Sequence, residues 1–252
     1  MKVLGQSAKM RDDAVALNLV EAGGAGCKAC PLAKPSKETG KAPCYAMRTF
    51  KRRGRIKDGI KSRREKYGLA AVVTLAQYEV GGMIAIKQPP SWFRWSTLGA
   101  FPTPKMTTPE FWSSVTQLHK TLSANNIPVH LPIQSLTKAR WVRSKVSPGI
   151  TVRGSCDPIG DTIPKNHQVY KAKTPRSVVV GRPKMGRMKT LKLCEELKES
   201  LNSRGVKASL CPATKESLEA QNEKRPKRDG FKCGDCVKCA DKTEEVIIYP
   251  LH

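Results

Sequence analysis

The sequence has no run of eighteen consecutive apolar residues, and Met1-Lys2-Val3-Leu4-Gly5-Gln6 lacks the apolar stretch that makes a signal peptide. Both absences lead to the expectation of a cytoplasmic chain. Acidic residues are scarce as well: 21 Asp and Glu stand against 46 Lys and Arg in 252 residues, a formal charge of +25 at pH 7. An excess of that size repels itself in a compact fold and points to a polyanionic partner. Nucleic acid is expected, DNA ahead of RNA and single strands included, against the alternative of a basic surface that only keeps the protein soluble. A membrane partner is not expected, because no Trp/Leu-rich amphipathic helix with a basic face stands out.

Several catalytic signatures are missing. No GxxxxGK[ST] loop is present, which argues against an ATP-driven motor. His119, His130, His167 and His252 include no pair flanking a single residue, the metal-binding arrangement of rolling-circle initiators. His-x-Glu with Pro-Cys-x-x-Cys, the deaminase signature, is absent. Lone histidines of this kind read as surface or core residues. No catalytic residue is assigned from the sequence.

Cysteines are present in number. At this length a core forms without disulfides, and in a reducing compartment nine cysteines with close spacings argue for metal or chemistry. Cys211, Cys233, Cys236 and Cys239 supply four thiols, three of them separated by two-residue gaps, which lets adjacent sulfurs converge on one centre. A tetrahedral zinc and a four-iron cluster both fit; free buried thiols are the bland reading. The basic loop 224–232 would help hold a negatively charged thiolate site. Cys27, Cys30 and Cys44 form a second set, one ligand short of a closed site. Its fourth position is Cys156, Cys194, or an open position for water or substrate. Cys156 ends a predicted strand, whereas Cys194 has helical spacing with Leu191 and Leu197 and reads as core.

Along the chain, residues 1–66 read as a Cys- and Gly-rich opening, irregular to about residue 47, followed by a basic stretch over 48–66 that continues as a helix. Residues 67–252 read as one α/β domain carrying a metal-binding loop over 211–239. Short β-rich runs at 92–97, 128–134, 150–154, 177–181 and 206–210 alternate with helical spacing at 109–124 and 188–203, and a closing strand is expected over 245–252. Nucleic-acid contacts are expected from Arg48, Lys51, Arg52, Arg53 and Arg55, and from Lys138, Arg140, Trp141 and Arg143, where basic and aromatic residues interleave. Phe93, Phe111 and Trp112 read as core; Trp92, Trp95 and Trp141 are left open between core and base stacking.

The Cys-rich opening ending in Cys44-Tyr45-Ala46, then Arg94-Trp95-Ser96 with Gly99-Ala100-Phe101, then Leu136-Thr137-Lys138, and finally Cys211-Pro212 with Cys233, Cys236, Cys239 and His252 stand in an order that resembles a group of phage and plasmid proteins. That group is related to the radical SAM barrels, distantly including spore photoproduct lyase. The resemblance implies a partial (β/α) barrel with a four-iron cluster held by the first cysteine set at its mouth. Two departures bear on the chemistry. Radical SAM enzymes space their cysteine triplet by three and then two residues, whereas here the gaps are two and thirteen. Ala100 also stands where the phage proteins tend to carry an acid. Both count against cleavage of S-adenosylmethionine and leave cluster binding intact. The expectation is therefore an iron–sulfur or zinc metalloprotein that binds nucleic acid in phage or plasmid DNA replication or processing. The rivals are a radical-SAM-like enzyme modifying nucleic acid and a zinc-stabilised structural or packaging protein.

Overall fold

A computed structural model describes residues 2–5, 13–21, 54–96, 99–171, 174–182, 184–212, 215, 236, 238–241, 243 and 245–251. The class is α/β. In chain order the elements are β1 (Leu4–Gly5), β2 (Ala14–Leu17), β3 (Val20–Glu21), α1 (Gly54–Ala85), β4 (Trp92–Trp95), β5 (Gly99–Ala100), α2 (Pro109–Ala124), β6 (Val129–Ile133), α3 (Leu136–Arg143), β7 (Thr151–Ser155), β8 (Arg176–Val180), α4 (Arg187–Asn202), β9 (Ala208–Leu210) and β10 (Val246–Pro250). Eight strands form one sheet in the order β1-β2-β4-β6-β7-β8-β10-β9, and all its pairings are parallel except β1 with β2. The sheet is open, with β1 and β9 at its edges. Strands β3 and β5 pair separately.

The predicted strands and helices from residue 92 onward fall within a residue or two of these elements. Strand β2 is a correction, because it lies in a segment read as irregular and pairs with β4 inside the main sheet. Its sequence Ala14-Val15-Ala16-Leu17 alternates small and large side chains. Val15 and Leu17 enter the core, while Ala14 and Ala16 leave room on the opposite face for the indole of Trp92.

Every described helix packs on one face of the sheet. Leu69, Val72, Val73, Ala76 and Val80 recur at helical spacing along α1 and meet Phe111, Val115, Leu118 and Leu122 of α2 over Phe93, Trp95, Leu131 and Ile133. Glu79 of α1 accepts the backbone N–H groups of Val3 and Leu4 and so ties β1 to the helix. Helix α1 is also the one described helix long and apolar enough to cross a membrane by length and composition, and 28% of its apolar eighteen-residue stretch is buried. Gly68, at φ 76° and ψ 163°, breaks α1 between its basic and apolar halves in a conformation essentially reserved for glycine.

Local signals set the helix starts. Thr108 accepts the Phe111 N–H and precedes Pro109, and Ser135 accepts the Lys138 N–H. At α4, Leu193, Cys194, Leu197 and Leu201 pack on Val178, Val180 and Ile248 in a second core cluster.

Close packing of α3 on β7 depends on Gly154, since a Cβ there would sit 2.9 Å from Ala139 Cβ and 3.0 Å from Leu136 Cδ2. Gly154→Val is expected to lose about 1–3 kcal/mol in denaturant unfolding through overpacking. Gly160→Ala, whose added Cβ meets open space, should stay within about 0.5 kcal/mol of the parent. Equal losses in the two variants would remove the packing explanation.

Candidate functional site

Parallel register places side chains of paired residues on the same face. The pairs Arg94 with His130, His130 with Thr151, Pro132 with Arg153, Ser155 with Ser177, Ile247 with Ser177 and Ile247 with Ser209 therefore lie opposite the helices. Trp92 and Tyr249 fall on that face by the same alternation. It is largely polar where the helix-covered face is apolar, and the C-terminal cysteine segment lies across it.

Arg153 fixes that segment in place. It is fully buried, and its guanidinium donates through Nε to Cys239 O at 3.3 Å, and through Nη2 to Lys238 O at 3.2 Å and to Asp241 O at 3.0 Å. Nη1 donates to Arg176 O at 3.0 Å. The hydroxyl of Thr151 donates to Ala240 O, and Lys238 Nζ donates to Ser209 Oγ at 3.1 Å. Asp241 closes a turn of its own by accepting from Thr243 N at 2.8 Å and Thr243 Oγ1 at 2.9 Å. The segment thus satisfies its carbonyls with a buried cation instead of a strand ladder.

Docked this way, Cys239 Sγ lies 3.0 Å from the hydroxyl of Tyr249 and packs against Ala14, Ala16 and Trp92. Cys211, buried just past β9, is near enough for its charge to act on Cys239 and Tyr249. Burial pushes the Cys239 thiol up to about 11; Cys211 adds to that, while the Tyr249 hydrogen bond, Arg153 and Arg94 oppose it. Burial likewise holds the Tyr249 phenol well above its ordinary value. Without a metal, both groups are protonated at neutral pH. A metal bound at the thiols would have to displace their protons, and the neighbouring arginines would favour the resulting thiolates.

Of the expected metal ligands, the structure brings Cys211 and Cys239 to one place. Cys236 is half-buried nearby in sequence, and Cys233 lies outside the described residues, as do Cys27, Cys30 and Cys44. Among the described residues no three His, Cys, Asp or Glu side chains gather closely enough to hold a metal ion. Cys156 sits on the helix-covered side with Ile159, Val169 and Val178, its thiol pushed up to about 11 by burial. Cys194 is core, as its spacing suggested, with its thiol pushed up to about 12 by burial and by Glu195.

The basic residues divide into two kinds. Arg55, Lys57, Lys61 and Lys66 are exposed along the first half of α1, and Arg140 and Lys145 are exposed at α3. Arg48, Lys51, Arg52 and Arg53 lie outside the described residues. Arg64, by contrast, pairs with the buried carboxylate of Glu21 and anchors α1 to β3. Burial works to raise that carboxyl, but the hydrogen bond and charge of Arg64, with Lys57 beyond, hold it below its ordinary value. Lys138 donates to Phe101 O and to Gln134 Oε1, and Arg143 Nη2 donates to Val152 O at 2.8 Å and Pro175 O at 3.0 Å. Both cations serve internal carbonyls. Trp141 is half-buried, edge-on to Trp112 at 5.4 Å between ring centroids. Trp92 and Trp95, left open by the sequence, are buried.

Arg153, Thr151 and Tyr249 were not singled out from the sequence. The signal for them was available in the alternation of Arg94, His130, Thr151, Arg153, Ser177, Ser209 and Tyr249 with apolar neighbours on successive strands. That pattern marks a sheet with two unlike faces. Compared with protein-family models, with curated proteins and with solved structures, the chain gives no match.

Proposed function

We propose that this protein is a cysteine-ligated iron–sulfur or zinc metalloprotein that binds nucleic acid through its basic surface, in DNA replication or processing. The observation that carries the metal reading is the docking of the 238–241 segment by Arg153. It sets Cys239 beside Tyr249 and near Cys211, on a face that also holds Arg94 and Arg153. The donor chemistry fits, because cations beside thiols favour an anionic thiolate centre. Cys211 and Cys239 would be two of its ligands, with Cys233 and Cys236 supplying the others, and the bound centre would hold the segment to the sheet or carry an electron.

The finer architecture belongs to the same proposal. From β2 to β8 the strand order follows the chain order, and the described helices share one face; both features fit a partial (β/α) barrel with the polar face turned inward. For the nucleic-acid reading the support is the net charge of +25 and the exposed cations of α1 and α3.

Anaerobic purification followed by iron, sulfide and zinc analysis tests the metal reading. At least one metal centre per chain is expected, with one centre lost in Cys239→Ser. Visible colour and acid-labile sulfide would assign a cluster, and zinc alone would assign a structural site. A wild-type protein free of both metals, or Cys239→Ser with full metal content, would defeat the proposal.

A further inference from the structure

The polar face holds a concentration of buried polar atoms that the described protein leaves unsatisfied. Trp92 and His130 are both about 1% exposed and stack on one another, with ring centroids 5.7 Å apart and planes 11° from parallel. Among the described residues, Nε1 of Trp92 and both ring nitrogens of His130 have no hydrogen-bond partner. Burying a polar nitrogen without a partner is costly, and three such atoms, two of them N–H donors, in one pair of rings are rare in a folded protein. The other indole of the central strands shows the ordinary solution, for Trp95 Nε1 donates to His119 Nε2 at 3.1 Å.

What lies next to Trp92 is sulfur. Cys239 packs against the cluster that Trp92 forms with Ala14 and Ala16, and Arg94 and Arg153 act on both His130 and Cys239. His130 is neutral there, because burial first and the two arginines second hold its pKa well below the ordinary value. A neutral imidazole offers one N–H and one lone pair. Bound thiolate sulfur accepts N–H donors, and donors behind the ligands orient a metal site and strengthen it.

Building on the proposed metal reading, we propose that Trp92 and His130 are positioning residues that donate N–H hydrogen bonds to the sulfurs of a thiolate metal centre at Cys211 and Cys239. The two rings are then held ready in the metal-free protein with their donors unmet. Formation of the anionic centre supplies the missing acceptors. This assigns the central strands β4 and β6 a role in metal binding, although the proposed ligands come from the C-terminal part of the chain.

The test is zinc titration of metal-free, full-length protein against a chromophoric chelator, paired with the melting temperature of the same metal-free samples. Trp92→Phe and His130→Phe each keep an aromatic ring and remove the ring nitrogens; Trp92→Phe also loses one ring of a buried indole, so the melting-temperature comparison is read on His130→Phe. The zinc equivalent to follow is the one that Cys239→Ser abolishes. Each variant is expected to bind it roughly 10-fold more weakly, within the range typical for lost outer-shell partners. The metal-free melting temperature of His130→Phe should stay level or rise, because an unmet buried donor has been removed. Wild-type affinity in both variants would overturn the inference while leaving the metal reading standing. A fall in affinity of His130→Phe that tracks a fall in its metal-free melting temperature would overturn it too, since it would mark a packing role. A wild-type protein that takes up no such zinc and also carries no iron after anaerobic purification would overturn both readings together.

Discussion

Arg153→Met is expected to lose about 3–5 kcal/mol of stability, the scale seen when one partner of a buried charged network is removed. Methionine fills much of the volume but offers no donor, and the carbonyls of Arg176, Lys238, Cys239 and Asp241 would each lose one. For a chain of this length that corresponds to a fall of roughly 10 °C in melting temperature. Arg153→Lys should recover only part of the loss, because one ammonium cannot span carbonyls met by three different guanidinium nitrogens. Because the 238–241 segment hangs on these bonds, metal content is expected to fall with stability in Arg153→Met. Calorimetry and metal analysis on the same preparation read both. A variant that melts with the parent would mean that the segment is held by other contacts.

Nucleic-acid binding is expected to collapse with salt. Each phosphate neutralised on a single strand contributes about −0.7 to the log–log slope, and six contacts give roughly −4, or a loss of roughly 250-fold between about 50 and about 200 mM salt. The cations in position to make such contacts are the exposed Arg55, Lys57, Lys61 and Lys66 of α1 with Arg140 and Lys145 at α3. Reversing Arg55, Lys57 and Lys61 to Glu should flatten the slope by about 2 and weaken every sequence alike, because phosphate contacts position without specifying. The salt bridge of Lys61 with Glu65 is exposed at both ends, and its loss should matter little to folding. Fluorescence anisotropy with labelled oligonucleotides at several salt concentrations measures the slope. Salt-insensitive binding by the parent protein would refute the electrostatic account. Lys138, Arg143 and Trp141 should behave otherwise. Their contacts with internal carbonyls and with Trp112 predict that alanine at these positions lowers melting temperature more than it changes the salt slope.

Read alone, the sequence determined what depends on neighbours along the chain. Phe111, Val115 and Leu118 specify a helix by their spacing, and Cys194 is marked as core by Leu191 and Leu197 on the same helical face. The runs around Arg94, His130 and Val178 read as strands, and the excess of cations needs no fold at all to be seen. Strand β2 escaped because four residues of small and apolar side chains are too short a run to carry a clear period of their own.

Tertiary structure alone decided which cations are spent inside the protein and which face water. Arg64 and Arg153 look like any other basic residues until a strand register puts Glu21 beside one and the backbone of 238–241 around the other. The same holds for the meeting of Cys239 with Tyr249 and for the unpartnered pair Trp92 and His130, which sit on different strands. Helix and strand periods are local and survive in any context. The face a strand residue occupies depends on pairing with distant chain, and a slip of one residue would turn Arg153, His130 and Tyr249 into the apolar core.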